Sequence, residues 1–201
     1  IEEGLYLLEK EGEARLNKLL DMRRQLEKEL ASCKHVRICP YTEPSKIIIS
    51  VKNTNFTGKQ LYDLLGEKYH LQLEMACETY ALAMLSMMDT QEGIRRLVAA
   101  LKDIDSESTS EKAPDFTSVS ECWNPARKLP LYEAYMQESC EVLLSDAIGR
   151  TAAEFVNLYP PGIPLLVPGE RIEEPFVRAI QERVRYGYTV QGINEGKVCV
   201  L

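Results

Sequence analysis

The chain's 201 residues suffice for one large domain or two small ones, each with a core of its own. Its balance of 45% apolar and 27% charged residues is that of an ordinary globular protein. A net charge of -7 argues against nucleic acid and anionic membrane surfaces as partners, which need a basic footprint, and favours the approach of a small cation.

The chain opens on Ile1-Glu2-Glu3-Gly4, too acidic for a signal or transit peptide and without an initiator methionine, so the expectation is a chain that starts in mid-protein. Residues 2–32 read as one long helix, with Leu5, Leu8, Leu16, Leu19, Leu26 and Leu30 at helical spacing on one side. That stripe must pack on something, either its own domain or an upstream one. Strands are expected at 36–39 and 46–52, the latter carried by Lys46-Ile47-Ile48-Ile49-Ser50-Val51 between Pro44 and Asn53-Thr54-Asn55. Thr57 with Gln60 forms a capping box that opens a helix whose inner face is Leu61, Leu64 and Leu65. Two more strands follow around 71–76 and 79–87. Asp89 with Glu92 then starts another helix, with Ile94, Leu97, Val98, Leu101 and Ile104 on one face. Residues 1–105 thus describe a sheet covered by helices on one face.

Residues 106–120 are polar and lack periodicity, and they read as a linker. The second domain is expected over 121–201, with a short helix at 131–137, a strand near 140–144 and a helix capped by Ser145 running to Phe155. Beyond lie the run Tyr159-Pro160-Pro161-Gly162-Ile163-Pro164 and the turn Pro168-Gly169-Glu170. A helix with Pro175 in its first turn and Phe176, Val177, Ile180 and Val184 on one side ends at Gly187. Short strands are expected at 188–192 and 197–201. The fold class is therefore α/β (α+β).

Six cysteines (Cys33, Cys39, Cys77, Cys122, Cys140 and Cys199) show no C-x-x-C pair, and neither His35 nor His70 stands at ligand spacing to them. Reduced, mostly buried thiols in a cytoplasmic protein are the expectation, with no metal site. Asn55-Phe56-Thr57 fits a glycosylation sequon but reads as plain sequence.

Three prolines within Tyr159–Pro164 fix φ and remove three backbone donors, and Pro161-Gly162 suits a type II turn. The result is a stiff turn between a helix and an apolar strand-like run. It reads either as structural punctuation or as a rigid wall beside a ligand. Tyr159-Pro160-Pro161-Gly162-Ile163-Pro164-Leu165-Leu166-Val167-Pro168-Gly169-Glu170 resembles the hallmark of the C-terminal domain of the ornithine/lysine/arginine decarboxylases. Asp146–Glu154 resembles the helix that precedes that motif in the family, Tyr188–Gly192 resembles the family's ending, and Pro44–Ser50 with Thr57-Gly58 resembles the small domain that follows the cofactor domain.

The resemblance implies the fold of aspartate aminotransferase, with a small helix-covered sheet domain at 1–105 and a decarboxylase C-terminal domain at 121–201. It implies a pyridoxal phosphate enzyme that turns arginine, lysine or ornithine into an amine and carbon dioxide, in polyamine metabolism or acid resistance, and that forms homodimers with sites at the subunit interface. In this family the cofactor lysine sits in a Ser-x-His-Lys type motif, which is absent here: Cys33-Lys34-His35 has the wrong order, and Ser45-Lys46 enters a strand. The aminotransferase carboxylate-binding arginine is also missing from Thr79–Ser86, a departure compatible with a substrate whose carboxylate is to be expelled. No catalytic or cofactor-binding residue is expected on this chain, and no bound cofactor. Tyr159, Gly162 and Glu170 are the candidates for shaping the substrate entrance, as turn, phenol and carboxylate facing a cationic side chain. Glu170 could equally favour a helix N-terminus. The partners implied are the upstream cofactor domain, a second copy and a small cationic amino acid. The alternative is a standalone non-catalytic module that pairs with a full-length decarboxylase. No nucleophile elbow supports a hydrolase.

Overall fold

The structure is a computed structural model and describes residues 1–40, 43–111, 113, 125–159 and 162–201, without the side chain of Ile163. They fall into two compact units, within Ile1–Pro114 and Asp115–Leu201. The expected linker at 106–120 lies mostly outside the described residues.

In the first unit the long helix α1 spans Glu2–Leu30. Only the second half of its leucine stripe is buried: Leu19, Met22, Leu26 and Leu30 join the core, whereas Leu5 is 62% exposed and Leu8 and Leu16 are 47% exposed. Arg23 is buried with them. It pairs with Glu27 at 2.7 Å and donates to the carbonyls of Pro44 and Lys46, tying the helix to the entrance of strand β2.

The strands β1 (Arg37–Ile38), β2 (Lys46–Ser50), β3 (Met75–Ala76) and β4 (Tyr80–Met84) form an antiparallel sheet in the order β1-β2-β4-β3. All are shorter than the sequence expectation. Ile47 and Ile49 stand opposite Ala83 and Ala81, so large and small side chains alternate on the buried face. That face is covered by α1, by α2 (Gly58–Glu67) and by α3 (Gln91–Glu107), which contribute Leu26, Leu61, Leu65, Leu97, Leu101 and Ile104 to one core. The opposite face, with Ile48 beside Leu82, is only half-buried. The helix-covered sheet read from the sequence is thus what forms.

The capping box is complete: the Thr57 hydroxyl accepts from Gln60 N at 3.1 Å and Gln60 Oε1 accepts from Thr57 N at 2.8 Å. Such a cap contributes about 1 kcal/mol. Helix α3 corrects the expected start. Thr90, not Asp89, is its cap and accepts from Gly93 N at 3.1 Å, while Asp89 accepts from Ser86 N. The helix runs on to Glu107, and the buried Ser108 hydroxyl donates to Ile104 O. Near its end, Asp105 accepts backbone hydrogen bonds from Lys34, His35 and Val36 at 3.0, 2.7 and 2.7 Å, fixing the turn between α1 and β1.

The second unit holds α4 (Leu131–Tyr135), β5 (Cys140–Leu143), a 3-10 turn at Leu144–Ala147, β6 (Val156–Tyr159), β7 (Ile163–Leu166), α5 (Glu174–Arg185), β8 (Thr189–Gln191) and β9 (Lys197–Val200). β5 pairs with β9, and β6 lies between β7 and β8. Their core includes Val156, Leu166, Ile172, Phe176, Ile180, Val198 and Val200.

The helix expected over 145–155 does not form. Ser145 bonds its neighbour Asp146 instead of capping, and Gly149 takes φ +86°. The backbone from Gly149 to Ala153 spends its hydrogen bonds on Ile172, Glu170 and Cys199, which a helix would have required internally. Helix α5 starts as expected around Pro175 and ends in a Schellman motif: Tyr188 N donates to Arg183 O at 2.9 Å and Gly187 N to Val184 O at 3.0 Å, with Gly187 at φ +80°. Val184, expected on its inner side, is 53% exposed.

None of the five described cysteines is in a disulfide. Contrary to expectation none is fully buried: Cys140 is exposed, and Cys33, Cys39, Cys77 and Cys199 are half-buried. Among the described residues no helix is long and apolar enough to cross a membrane.

Candidate functional site

The proline-rich run joins two antiparallel strands, β6 and β7, rather than a helix and a strand. Pro160 and Pro161 lie outside the described residues. Gly162 sits at φ +98°, where an L side chain is strained, and its N–H donates to Leu158 O at 2.9 Å to close the hairpin. Pro164 is accommodated because β7 is the edge of its sheet, where a missing donor costs little. The register slips by one residue between Val156 and Asn157, a bulge that lets Leu166 pair with Val156.

Tyr159 and Gly162 come together at the tip of this hairpin. Tyr159 is 48% exposed, and a Cβ on Gly162 would stand 4.0 Å from the Tyr159 ring. Glu170 is not with them. It follows β7 at the other end of the hairpin, separated by the length of the strand pair, roughly 10 Å at 3.3 Å per residue. There its carboxylate accepts from Val167 N at 2.9 Å across the Pro168-Gly169 turn, and its backbone bridges Arg127 and receives Ala152 N. Glu170 closes its own turn and caps no helix, since α5 begins at Glu174.

A feature the sequence reading missed is a cavity of about 650 Å³ in the second unit, lined by Ile180, Val184, Tyr188, Val190 and Ile193 with Arg185. Its residues come from the end of β5 and the 3-10 turn after it, from α5, from β8 and from the turns flanking β8, so no contiguous motif announces it. Among the described residues no group of histidine, cysteine and carboxylate side chains could hold a metal.

Residues 124–187, which hold the hairpin, the Glu170 turn and α5, match the family described as Orn/Lys/Arg decarboxylase, C-terminal domain. An arginine decarboxylase of Halalkalibacterium halodurans is 37% identical over 75% of this chain. The chain belongs to the C-terminal part of the Orn/Lys/Arg decarboxylase family. Arginine decarboxylases of Bacillus subtilis, 33% identical over 75% of the chain, and Bacillus anthracis, 29% identical over 90%, are further relatives. The chain spans 31% of the Halalkalibacterium and B. subtilis proteins and 39% of the B. anthracis protein, so this decarboxylase part is about a third of such chains.

The fold is that of solved decarboxylases. A lysine decarboxylase of Francisella novicida superposes with a TM-score of 0.72 at 15% identity, covering 94% of this chain and 40% of its own. The constitutive lysine decarboxylase of E. coli gives 0.70 at 14% identity, with the same coverage. The likeness extends well beyond the decarboxylase hallmark to nearly the whole chain.

Proposed function

We propose that the chain is the C-terminal portion of a pyridoxal-phosphate-dependent decarboxylase of a basic amino acid (arginine, lysine or ornithine) and is not competent without an upstream domain that holds the cofactor. The observation that carries the reading is the match to arginine decarboxylases, of which the chain covers about a third. In this reading the protein is cytoplasmic, works in polyamine metabolism and pairs with a second copy.

The residues present do not fit the cofactor. An imine-forming lysine is held out of water so that its amine is neutral at working pH. Among the described residues no lysine is buried. Lys59, with its side chain 17% exposed, is engaged by Asp63 at 2.6 Å. Lys46 is half-buried at the edge of an open sheet face. The chain's contribution is therefore shape: the stiff hairpin presents the Tyr159 phenol, and the Glu170 turn is a separate fixed point. Substrate enters this account only through the full-length enzyme.

A chimera tests the reading. This chain replaces the matching C-terminal third of the Halalkalibacterium arginine decarboxylase, and carbon dioxide release is measured with arginine, lysine and ornithine. Release from at least one is expected, at no less than a hundredth of the parent rate. A soluble chimera that takes up cofactor but releases carbon dioxide from none would contradict the proposal.

A further inference from the structure

A chain of net charge -7 has few places where cations gather unopposed. One cavity of the first unit, about 540 Å³, is lined by Lys34, His35, Arg37, Lys52, Asn53 and Ser110. Three separate stretches supply them: the turn from α1 into β1, the turn after β2, where Asn53 takes φ +68°, and the residues past α3. The first stretch is held in place by Asp105, whose oxygens receive the backbone N–H groups of Lys34, His35 and Val36.

Elsewhere on the unit many cations are matched, among them Arg23 with Glu27, Lys59 with Asp63, Lys68 with Asp103 and Glu107, and Lys102 with Glu29, while Lys18, Lys28, Lys46 and Arg96, which also lack a carboxylate among the described residues, are not part of this cavity's lining. Among the described residues none of Lys34, Arg37 and Lys52 has a carboxylate within 4.0 Å. One guanidinium nitrogen of Arg37 reaches Lys34 O at 3.5 Å, leaving most of its fork unused.

We propose that this cavity binds a small phosphate-bearing anion. Arg37 offers the planar fork that grips two oxygens of a phosphate, Lys34 and Lys52 add point charges, and Asn53, Ser110 and His35 supply further donors. Three fixed positive charges suit an anion of two or more charges better than a single carboxylate. The net charge of -7 over the whole chain favours a small molecule over nucleic acid, which needs an extended basic face. The proposal stands independently of the decarboxylase reading.

Isothermal titration of the 201-residue chain with sodium pyrophosphate, at ionic strength fixed with sodium chloride, tests it. Saturable one-to-one binding that weakens with salt is expected. Arg37→Glu/Lys52→Glu should lower the affinity at least tenfold with an unchanged circular dichroism spectrum. Lys18→Glu/Lys28→Glu, the same charge change on the exposed side of α1, should leave it within twofold. Amide chemical shifts of the unsubstituted chain should move at residues 34–37 and 52–53, which keeps the test independent of the folding of any variant. No saturable binding, equal loss in both double variants, shifts confined to other residues, or tighter binding of a single-stranded oligonucleotide than of pyrophosphate would overturn the proposal.

Discussion

Gly169→Ala should destabilise the second unit by about 3 kcal/mol, from two causes that add. The backbone at Gly169 has φ +93°, where an L residue pays about 1–2 kcal/mol. A Cβ there would also lie 2.3 Å from Leu129 O and 3.1 Å from Leu129 C, a backbone obstacle that no rotamer relieves. Moving that backbone disturbs the place where three segments meet. Gly169 O accepts from Lys128 N at 2.7 Å and Leu129 N at 3.2 Å, and Gly169 N donates to Ala152 O at 2.9 Å. Each weakened bond adds roughly 1 kcal/mol. Gly187→Ala supplies the contrast: φ is +80° but nothing lies within 4 Å, so only the conformational cost of about 1 kcal/mol remains. Urea unfolding of the two variants beside the parent separates the causes. Equal losses would mean that the approach to Leu129 carries no energy.

Asp105→Asn should destabilise the first unit by about 2 kcal/mol, the lower range for a carboxylate with three backbone donors, since the group is partly solvated. The variant keeps an acceptor but loses the charge that all three N–H groups face. The effect carries a pH signature. Burial alone would push the Asp105 carboxyl up, but the N–H groups of Val36, Lys34 and His35, with the His35 charge, outweigh it and hold the carboxyl below its usual 3.8. A carboxyl with a folded value below its unfolded one stabilises fully above the unfolded value, and that stability is lost as pH falls through the folded one. The parent should therefore exceed the variant by a constant margin from neutral pH down to about pH 5, with the margin closing only below 3.8. A margin already gone at pH 5 would show that the carboxylate does not organise this turn.

Where the sequence was legible, one residue's chemistry decided the local structure. Thr57 with Gln60 marked the start of α2, the β-branched run at Lys46–Ser50 marked the central strand, and Pro175 and Gly187 bracketed α5. Where two neighbours offered the same chemistry, the reading slipped by one, as with Asp89 and Thr90. The segment at 145–155 was misread because its alanines and isoleucine keep helical spacing, while the partners that draw its backbone away, Glu170, Ile172 and Cys199, lie 18, 23 and 46 residues beyond the groups they bond.

The same distinction runs through the sites. Gly162 announced its turn through the prolines before it, and Tyr159 came with it. That Glu170 lies at the far end of the hairpin follows from the strand pairing, which the run itself does not encode. Asp105 meets its partners across about 70 residues. Arg23 reaches Pro44 and Lys46 across 21 and 23, and the basic cavity draws on residues from Lys34 to Ser110. None of these leaves a local pattern.

The central proposal is that this chain is part of a decarboxylase and that none of its described lysines is placed to carry the cofactor. It is tested most directly by mixing the purified chain with pyridoxal phosphate, recording the absorption spectrum, reducing with borohydride and measuring the intact mass. No stoichiometric adduct is expected, only scattered substoichiometric labelling of exposed lysines. A single lysine labelled one-to-one, with carbon dioxide released from arginine, lysine or ornithine before reduction, would contradict the account.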